Sequence, residues 1–191
     1  MDVSFLPQLD YLSSYYNESF ASYKRHTNEY EKMLEWISDR FDAEITSKLL
    51  KKENEDGNVT LSVLGIGSGD GKLDVEMLIR LKKKFGTIEC TVVEPSAERI
   101  TSYKKLVQER KDALDGVTFD WRQITLQEFC KISFDRSNKF QFVCAMHSLY
   151  YIPKQELDYY IKTLFEWTEG IILMMHGTGR RDALAVFKES S

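Results

Sequence analysis

The sequence predicts a doubly wound α/β sandwich, a parallel sheet with helices on both faces. Apolar runs alternate with amphipathic helical segments from residue 59 onward, a glycine cluster follows the first run, and 191 residues suit a single core. Continuous apolar runs between amphipathic helices are typical of buried parallel strands joined by right-handed crossovers. Ligands of such sheets bind at the carboxyl ends of the strands, which is where the glycine cluster lies.

Each strand is predicted from a short run rich in β-branched or aromatic residues. The first is "VTLSVLGI" at 59–66, followed by "IECTVVE" at 88–94 and the short "VTFDW" at 117–121. Two further runs, "FQFVCAM" at 140–146 and "GIILMMH" at 170–176, complete the predicted sheet.

Helices are predicted between these strands, at 72–86, 96–114 and 154–168. The first of them has an apolar stripe at Leu73, Met77, Leu78 and Leu81. Residues 8–50 are rich in Tyr and Phe and lack strand alternation, so we predict a helical region that covers the domain or forms part of a substrate lid. We therefore expect one domain, with a helical cover at 1–57 and a core at 58–191.

The composition is that of an ordinary globular protein. It is 42% hydrophobic and 29% charged, and its net charge of −4 gives no basic surface for nucleic acid. A signal peptide and a membrane-length apolar run are absent, so we expect a cytoplasmic protein without a membrane partner. Cys90 and Cys144 lie in strand-like runs and are expected to be buried. Neither the cysteines nor His26, His147 and His176 have metal-ligand spacing, so no metal site is predicted.

The glycine cluster consists of Gly65, Gly67, Gly69 and Gly71, between a strand and a helix. This arrangement places backbone N–H groups and a positive helix end beside a polar ligand. The hydroxyl residue of a triphosphate loop is missing after Lys72, and the third glycine of a dinucleotide fingerprint is also missing. The spacing therefore disfavours both ligands, and a simple tight turn is the alternative.

Glu94 ends the next predicted strand and lies at the same edge of the sheet. An acid at this position can accept hydrogen bonds from both ribose hydroxyls of an adenosine group. The alternative is a solvated loop carboxylate. A ribose partner without a pyrophosphate turn points to S-adenosylmethionine.

Three segments together resemble one family. "LGIGSGDGKLDVEML", "VVEPSAERITSYKKLV" and "HSLYYI" are similar to the histamine N-methyltransferase group of class I S-adenosylmethionine-dependent methyltransferases, from about Tyr16 to the end of the chain. The glycine loop is common to many methyltransferases, whereas "VVEPSAE" with the paired tyrosines is more specific. The resemblance implies a Rossmann-like class I methyltransferase sandwich, S-adenosyl-L-methionine as cofactor, and N-methylation of a small imidazole-containing amine such as histamine.

The resemblance also implies the cofactor site. Gly67 would line the methionine part and Glu94 would hold the ribose, while Arg99 stands where the family has a glutamine near the adenosine. Thr125 and Met146 lie on the adenine side. The implied cofactor residues are Gly65, Gly67, Gly69, Glu94, Arg99, Thr125 and Met146.

The implied substrate wall contains a carboxylate and several aromatic rings. Its residues are Tyr16, Phe20, Glu29, His147, Tyr150 and Tyr151. Glu29 would face the imidazole-bearing amine; the alternatives are an exposed helical acid for Glu29 and core packing for the aromatic rings. His147 replaces a family glutamine that contacts the substrate ring, so it is either a tuned base or a different polar contact.

The family continues beyond "GIILMMH" with further helices, two more strands and a polar substrate contact. We therefore expect a truncated form (a fragment, a splice variant or an incomplete gene model) that lacks the last strands of the sheet. A strand left at the edge exposes unpaired backbone, so we expect poor solubility or self-association relative to an extended chain. A monodisperse, stable monomer would contradict this expectation.

Methyl transfer needs little from side chains. A sulfonium carries its own leaving group, so attack by an amine depends on alignment and on exclusion of water, and no catalytic residue is predicted. The first alternative is a catalytically impaired cofactor-binding or regulatory form, which would bind cofactor without transferring methyl. The second is a nicotinamide oxidoreductase, which the glycine spacing disfavours and hydride transfer would support.

Overall fold

The computed structural model describes residues 28–49, 59–132 and 139–175. These residues contain one sheet of five parallel strands in the order β3-β2-β1-β4-β5. The strands are β1 (Thr60–Ile66), β2 (Thr87–Val93), β3 (Val117–Arg122), β4 (Phe140–Met146) and β5 (Thr168–Met175). The helices are α1 (Glu29–Asp39), α2 (Lys72–Lys82), α3 (Ala97–Glu109), α4 (Leu126–Lys131) and α5 (Lys154–Trp167). The doubly wound fold class is confirmed.

The strand order reverses between β1 and β4. The chain runs from β1 outward through β2 to β3 and then crosses back to β4 on the other side of β1. The loops after β1 and β4 therefore leave the sheet on opposite sides and open a crevice at its carboxyl edge.

Each face of the sheet is covered by its own hydrophobic cluster. On one face α1, α2 and α3 pack over β1 and β2, with Ile37, Leu81 and Tyr103 completely buried. On the other face α4 and α5 contribute Phe129 and Leu164 to a second cluster. The stripe predicted on α2 is buried throughout, and Cys90 and Cys144 are buried free thiols, as expected.

The described part of the N-terminal region is helical. A short π-helix (Asp42–Thr46) follows α1, and both pack on the α2 side of the sheet. The Lys84 ammonium donates hydrogen bonds to the carbonyl oxygens of Thr46 and Ser47, at 2.9 and 3.1 Å. This cation satisfies carbonyl groups that the end of the helix leaves without partners.

Helix lengths differ from prediction where turns replace helix. The second helix ends at Lys82 rather than at 86, and the third ends at Glu109 rather than at 114. The short helix α4 was not predicted, because six residues are too few for a periodic pattern.

Among the described strands β5 lies at one edge of the sheet, beside β4. No helix in residues 28–49, 59–132 or 139–175 is long and apolar enough to cross a membrane.

Candidate functional site

A cavity of about 470 Å³ opens at the carboxyl edge of the sheet, where the loops after β1, β2 and β4 meet. The first turn of α1 and the turn before α4 complete its wall. The site residues predicted from the sequence that line it are Glu29, Gly67, Gly69, Glu94, Arg99, Thr125, Met146, His147, Tyr150 and Tyr151. The fold thus brings to one cavity residues that are more than 120 positions apart in sequence.

The glycine loop forms the floor of this cavity. Gly67 has a φ of +60°, and its N–H donates to the carbonyl oxygen of Val93 at 2.7 Å. A Cβ at position 67 would lie 2.4 Å from the Cβ of Ser148. Only glycine fits this close contact between the loops after β1 and β4.

Glu94 is fixed by two backbone hydrogen bonds. Its Oε2 accepts from the N–H of Gly69 and its Oε1 from the N–H of Ser96, both at 2.9 Å. Burial raises the pKa of this carboxyl group, while the two N–H groups and the Arg99 charge oppose the rise. The carboxylate therefore joins the glycine loop to the start of α3 and lines the cavity as a hydrogen-bond acceptor.

Arg99 and Met146 also line the cavity. Arg99 belongs to the first turn of α3, and a Cβ at Gly69 would lie 3.2 Å from its Nη1. Met146 is the last residue of β4 and is 9% exposed. The site therefore combines a charged rim with an apolar wall, and the adenosine-side roles of both residues stay predictions.

Thr125 is the N-cap of α4. Its hydroxyl accepts from the N–H of Glu128 at 3.1 Å and donates to the Glu128 carboxylate at 2.9 Å, while the Thr125 N–H donates to the same carboxylate at 2.8 Å. These bonds lower the pKa of Glu128. The sequence signal for this missed helix was "TLQE", which matches the S/T-x-x-E capping box.

We expect Thr125→Ala to destabilise the fold by about 1 kcal/mol, the usual cost of losing an N-cap hydroxyl. The free energy of unfolding in urea measures this change. Thr163→Ala is the control, because its hydroxyl only donates to the Tyr159 carbonyl within α5. The control should stay within about 0.5 kcal/mol of the wild type. Equal stability of the two variants would contradict the capping role.

His147 has an unusual backbone conformation. Its φ is +53°, and its N–H donates to the carbonyl oxygen of Met175 in β5 at 2.9 Å. The imidazole Nδ1 is in hydrogen-bond contact with the Tyr150 hydroxyl. A left-handed conformation outside glycine is uncommon and concentrates at functional sites. The turn after β4 therefore holds an imidazole and a phenol together at the cavity.

The structure describes only some of the remaining residues predicted to contact the substrate. The rings of Tyr150 and Tyr151 lie edge to face, with centroids 6.4 Å apart, and Glu29 begins α1 at the cavity wall. Tyr16 and Phe20 lie outside the residues that the structure describes. Their roles stay predictions.

Two findings were not foreseen from the sequence. Gly65 does not line the cavity but lies in β1 beneath the loop, against the buried carboxylate of Asp74. Asp74 follows the spacing of the α2 stripe, three and four residues before Met77 and Leu78, and this spacing was the sequence signal for its burial.

Within residues 28–49, 59–132 and 139–175, no group of three His, Cys, Asp or Glu side chains could hold a metal ion.

Curated relatives are N-methyltransferases, although no protein-family model matches the chain. The chain is 32% identical over 145 residues to histamine N-methyltransferase A of Xenopus laevis, an alignment that covers 73% of this chain and 46% of the relative. It is 30% identical over 139 residues to carnosine N-methyltransferase 2 of Gallus gallus, covering 71% of this chain and 41% of the relative. The chain therefore spans about half the length of the curated relatives it matches.

Solved structures share the fold at low identity. The plantazolicin methyltransferase, solved with SAH, aligns with a TM-score of 0.54 and 13% identity over 86% of this chain and 54% of that one. Magnesium protoporphyrin IX methyltransferase of Synechocystis, solved with SAM, aligns with a TM-score of 0.54 and 17% identity over 97% of this chain and 82% of that one. On these grounds the chain is a relative of the histamine N-methyltransferases, and its described residues have the Rossmann-like fold of class I S-adenosylmethionine-dependent methyltransferases.

Proposed function

We propose that this protein is an S-adenosylmethionine-dependent N-methyltransferase that acts on a small imidazole-containing amine such as histamine. The observation that carries the proposal is the buried Glu94 carboxylate, tied to the N–H of Gly69 inside the cavity. It is an acceptor suited to ribose hydroxyls, and it is coupled to a glycine loop that leaves no room for a side chain at position 67. The similarity to histamine and carnosine N-methyltransferases supports the acceptor class.

The residues of the cavity fit an adenosyl cofactor. Glu94 would hold the ribose, the loop at Gly67 would hold the methionyl part, and Met146 would contact the adenine. The bound cofactor supplies an activated methyl group on a sulfonium. The protein has to bind the two substrates, align them and exclude water. A shaped cavity lowers the reaction barrier by these means.

The acceptor side is formed by α1 and by the turn after β4. Glu29 would hold the cationic end of the amine, and Tyr150 and Tyr151 would flank its ring. His147 would add a polar contact at the position where the family resemblance implies a glutamine. These groups orient a nitrogen lone pair, and none of them needs to form a covalent bond.

Transfer of labelled methyl from S-adenosylmethionine tests the proposal. We expect the full chain to methylate histamine and to leave a phenolic amine without an imidazole unmodified. Glu29→Gln should raise the KM for histamine about tenfold, since a charge-assisted hydrogen bond is lost. Glu31→Gln, an exposed acid on the same helix, is the matched control. Cofactor binding without transfer would support the impaired binder, and absence of both would overturn the proposal.

A further inference from the structure

Asp74 is a carboxylate buried beneath the glycine loop. It lies in the first turn of α2, is 5% exposed, and does not line the cavity. Acidic side chains are almost never buried without a compensating interaction, because loss of hydration disfavours their charge. Its position therefore requires a physical explanation.

Gly65 provides the space that Asp74 occupies. A Cβ at position 65 would lie 2.7 Å from Asp74 Oδ2 and 2.6 Å from the Ser68 hydroxyl oxygen. The missing side chain of Gly65 thus lets the carboxylate and the hydroxyl approach the same point below the loop. Ser68 lines the cavity, so it connects Asp74 to the ligand side.

The groups around Asp74 do not neutralise its charge. The Ser68 and Tyr103 hydroxyls lie close enough to favour its ionised form, yet Oδ2 and both hydroxyls lack a partner in full hydrogen-bond geometry among the described residues. The titratable groups that act on Asp74, or are acted on by it, are Tyr30 on α1, Asp70 in the loop, Cys90 and Glu94 on the β2 side, Tyr103 on α3 and Cys144 on β4. Burial, followed by the nearby acids Glu94 and Asp70, raises the pKa of Asp74 to about 7.

A cation bound above the loop would complete this arrangement. The buried interior screens charges weakly, so a positive group in the cavity would act on the carboxylate even without contact. S-adenosylmethionine carries a sulfonium, whereas its product S-adenosylhomocysteine carries a neutral thioether at the same place. The two ligands share the ribose, the adenine and the amino acid group, so the sulfonium charge is what distinguishes them electrostatically.

We propose that ionised Asp74 is the counter-charge beneath the glycine loop, and that it makes the site prefer the cationic cofactor to its neutral product. The inference rests on the proposed function, because it requires that the cavity binds this cofactor. In this role Asp74 is a positioning residue that acts through the loop and through space. It would favour exchange of product for fresh cofactor.

The preference should depend on pH with a defined sign. Asp74 loses its proton as pH rises through its raised pKa, so the carboxylate is charged above that pH and neutral below it. Affinity for S-adenosylmethionine should therefore rise with pH. Glu94 and Asp70 line the cavity and act on the same positive charge. Asp74→Asn leaves both acids in place, so comparison with this variant isolates what Asp74 contributes to the ratio of the two dissociation constants.

Calorimetric titration of the full chain with each ligand at pH 5.5 and 8.5 tests the inference. We expect the ratio of the Kd of S-adenosylhomocysteine to the Kd of S-adenosylmethionine to increase about tenfold from the lower to the higher pH, the change that a pKa shift of about one unit produces. Asp74→Asn should remove most of this increase. Tyr103→Phe removes a hydroxyl that favours the ionised form, so the midpoint of the transition should move to higher pH.

Asp158→Asn, the same change at an exposed position on α5, is the matched control and should behave as the wild type. Asp74→Asn should also have a higher Tm than the wild type at pH 8, because it removes a buried charge; a purely structural role predicts a lower one. A ratio that is independent of pH in the wild type, with both ligands bound, overturns the inference and leaves the proposed function standing. Binding of neither ligand overturns both.

Discussion

Glu94→Gln should weaken the binding of S-adenosylmethionine and of S-adenosylhomocysteine about 100-fold. The carboxylate accepts N–H groups from Gly69 and Ser96 on its two oxygens. A glutamine has one acceptor oxygen, so its NH₂ group would face one of these donors. A glutamine NH₂ group also cannot accept from a ribose hydroxyl. A hydrogen bond to a charged group contributes about 1.5–3 kcal/mol, and about 1.4 kcal/mol corresponds to a factor of ten in affinity, so loss of the ribose contact accounts for the expected change.

Isothermal calorimetry with both ligands measures this effect. Glu109→Gln is the control, because it makes the same chemical change at the exposed end of α3, outside the cavity. Both ligands should lose affinity equally, since Glu94 is assigned to the ribose that they share. Wild-type affinity in Glu94→Gln would remove Glu94 from the cofactor site, and a loss confined to one ligand would contradict the ribose assignment.

Gly71→Ala should lower the free energy of unfolding by about 3 kcal/mol, the range typical of strain combined with overpacking. Gly71 is the N-cap of α2 and has a φ of +75°, which disfavours any side chain. A Cβ at this position would lie 2.1 Å from the ring of Tyr103. That ring is completely buried and packs edge to face against Phe119 and Trp121, so it has no free direction to move.

Thermal unfolding should show the loss as a fall in Tm of roughly 10 °C for a chain of this size. Gly86→Ala provides the control, because nothing lies within 4 Å of a Cβ built at that position. Its Tm should stay within about 2 °C of the wild type. Equal melting of Gly71→Ala and the wild type would show that the loop relaxes without cost.

The sheet could be predicted from the sequence because its signals are local. Buried parallel strands are continuous apolar runs, and every residue of β4 is indeed buried. The ends of helices were less predictable, since the polar sequences after Lys82 and Glu109 suit either helix or turn. Helix α4 was missed although its capping box stood in the sequence, because a single turn offers no periodicity.

The candidate site was predictable where one residue type suits one geometry. The glycines follow one strand and the acid follows the next, and a parallel topology brings both loops to the same edge of the sheet. Asp74 was not predicted as a buried acid, because an acid with the spacing of an apolar stripe can be either buried or exposed. Its burial depends on Gly65, nine positions earlier and on another element.

The sequence by itself determined the fold class, the strand–loop–helix that forms the cavity floor and the family likeness, because each depends on residues close together along the chain. The tertiary structure decided how the separate segments meet: Glu94 with Gly69, Ser148 with Gly67, and Asp74 beneath Gly65. The first two contacts join loops whose residues are 25 and 81 positions apart, and the third joins β1 to α2. Their distances and their burial, and with them the electrostatics of the site, arise only when β1, β2 and β4 lie side by side.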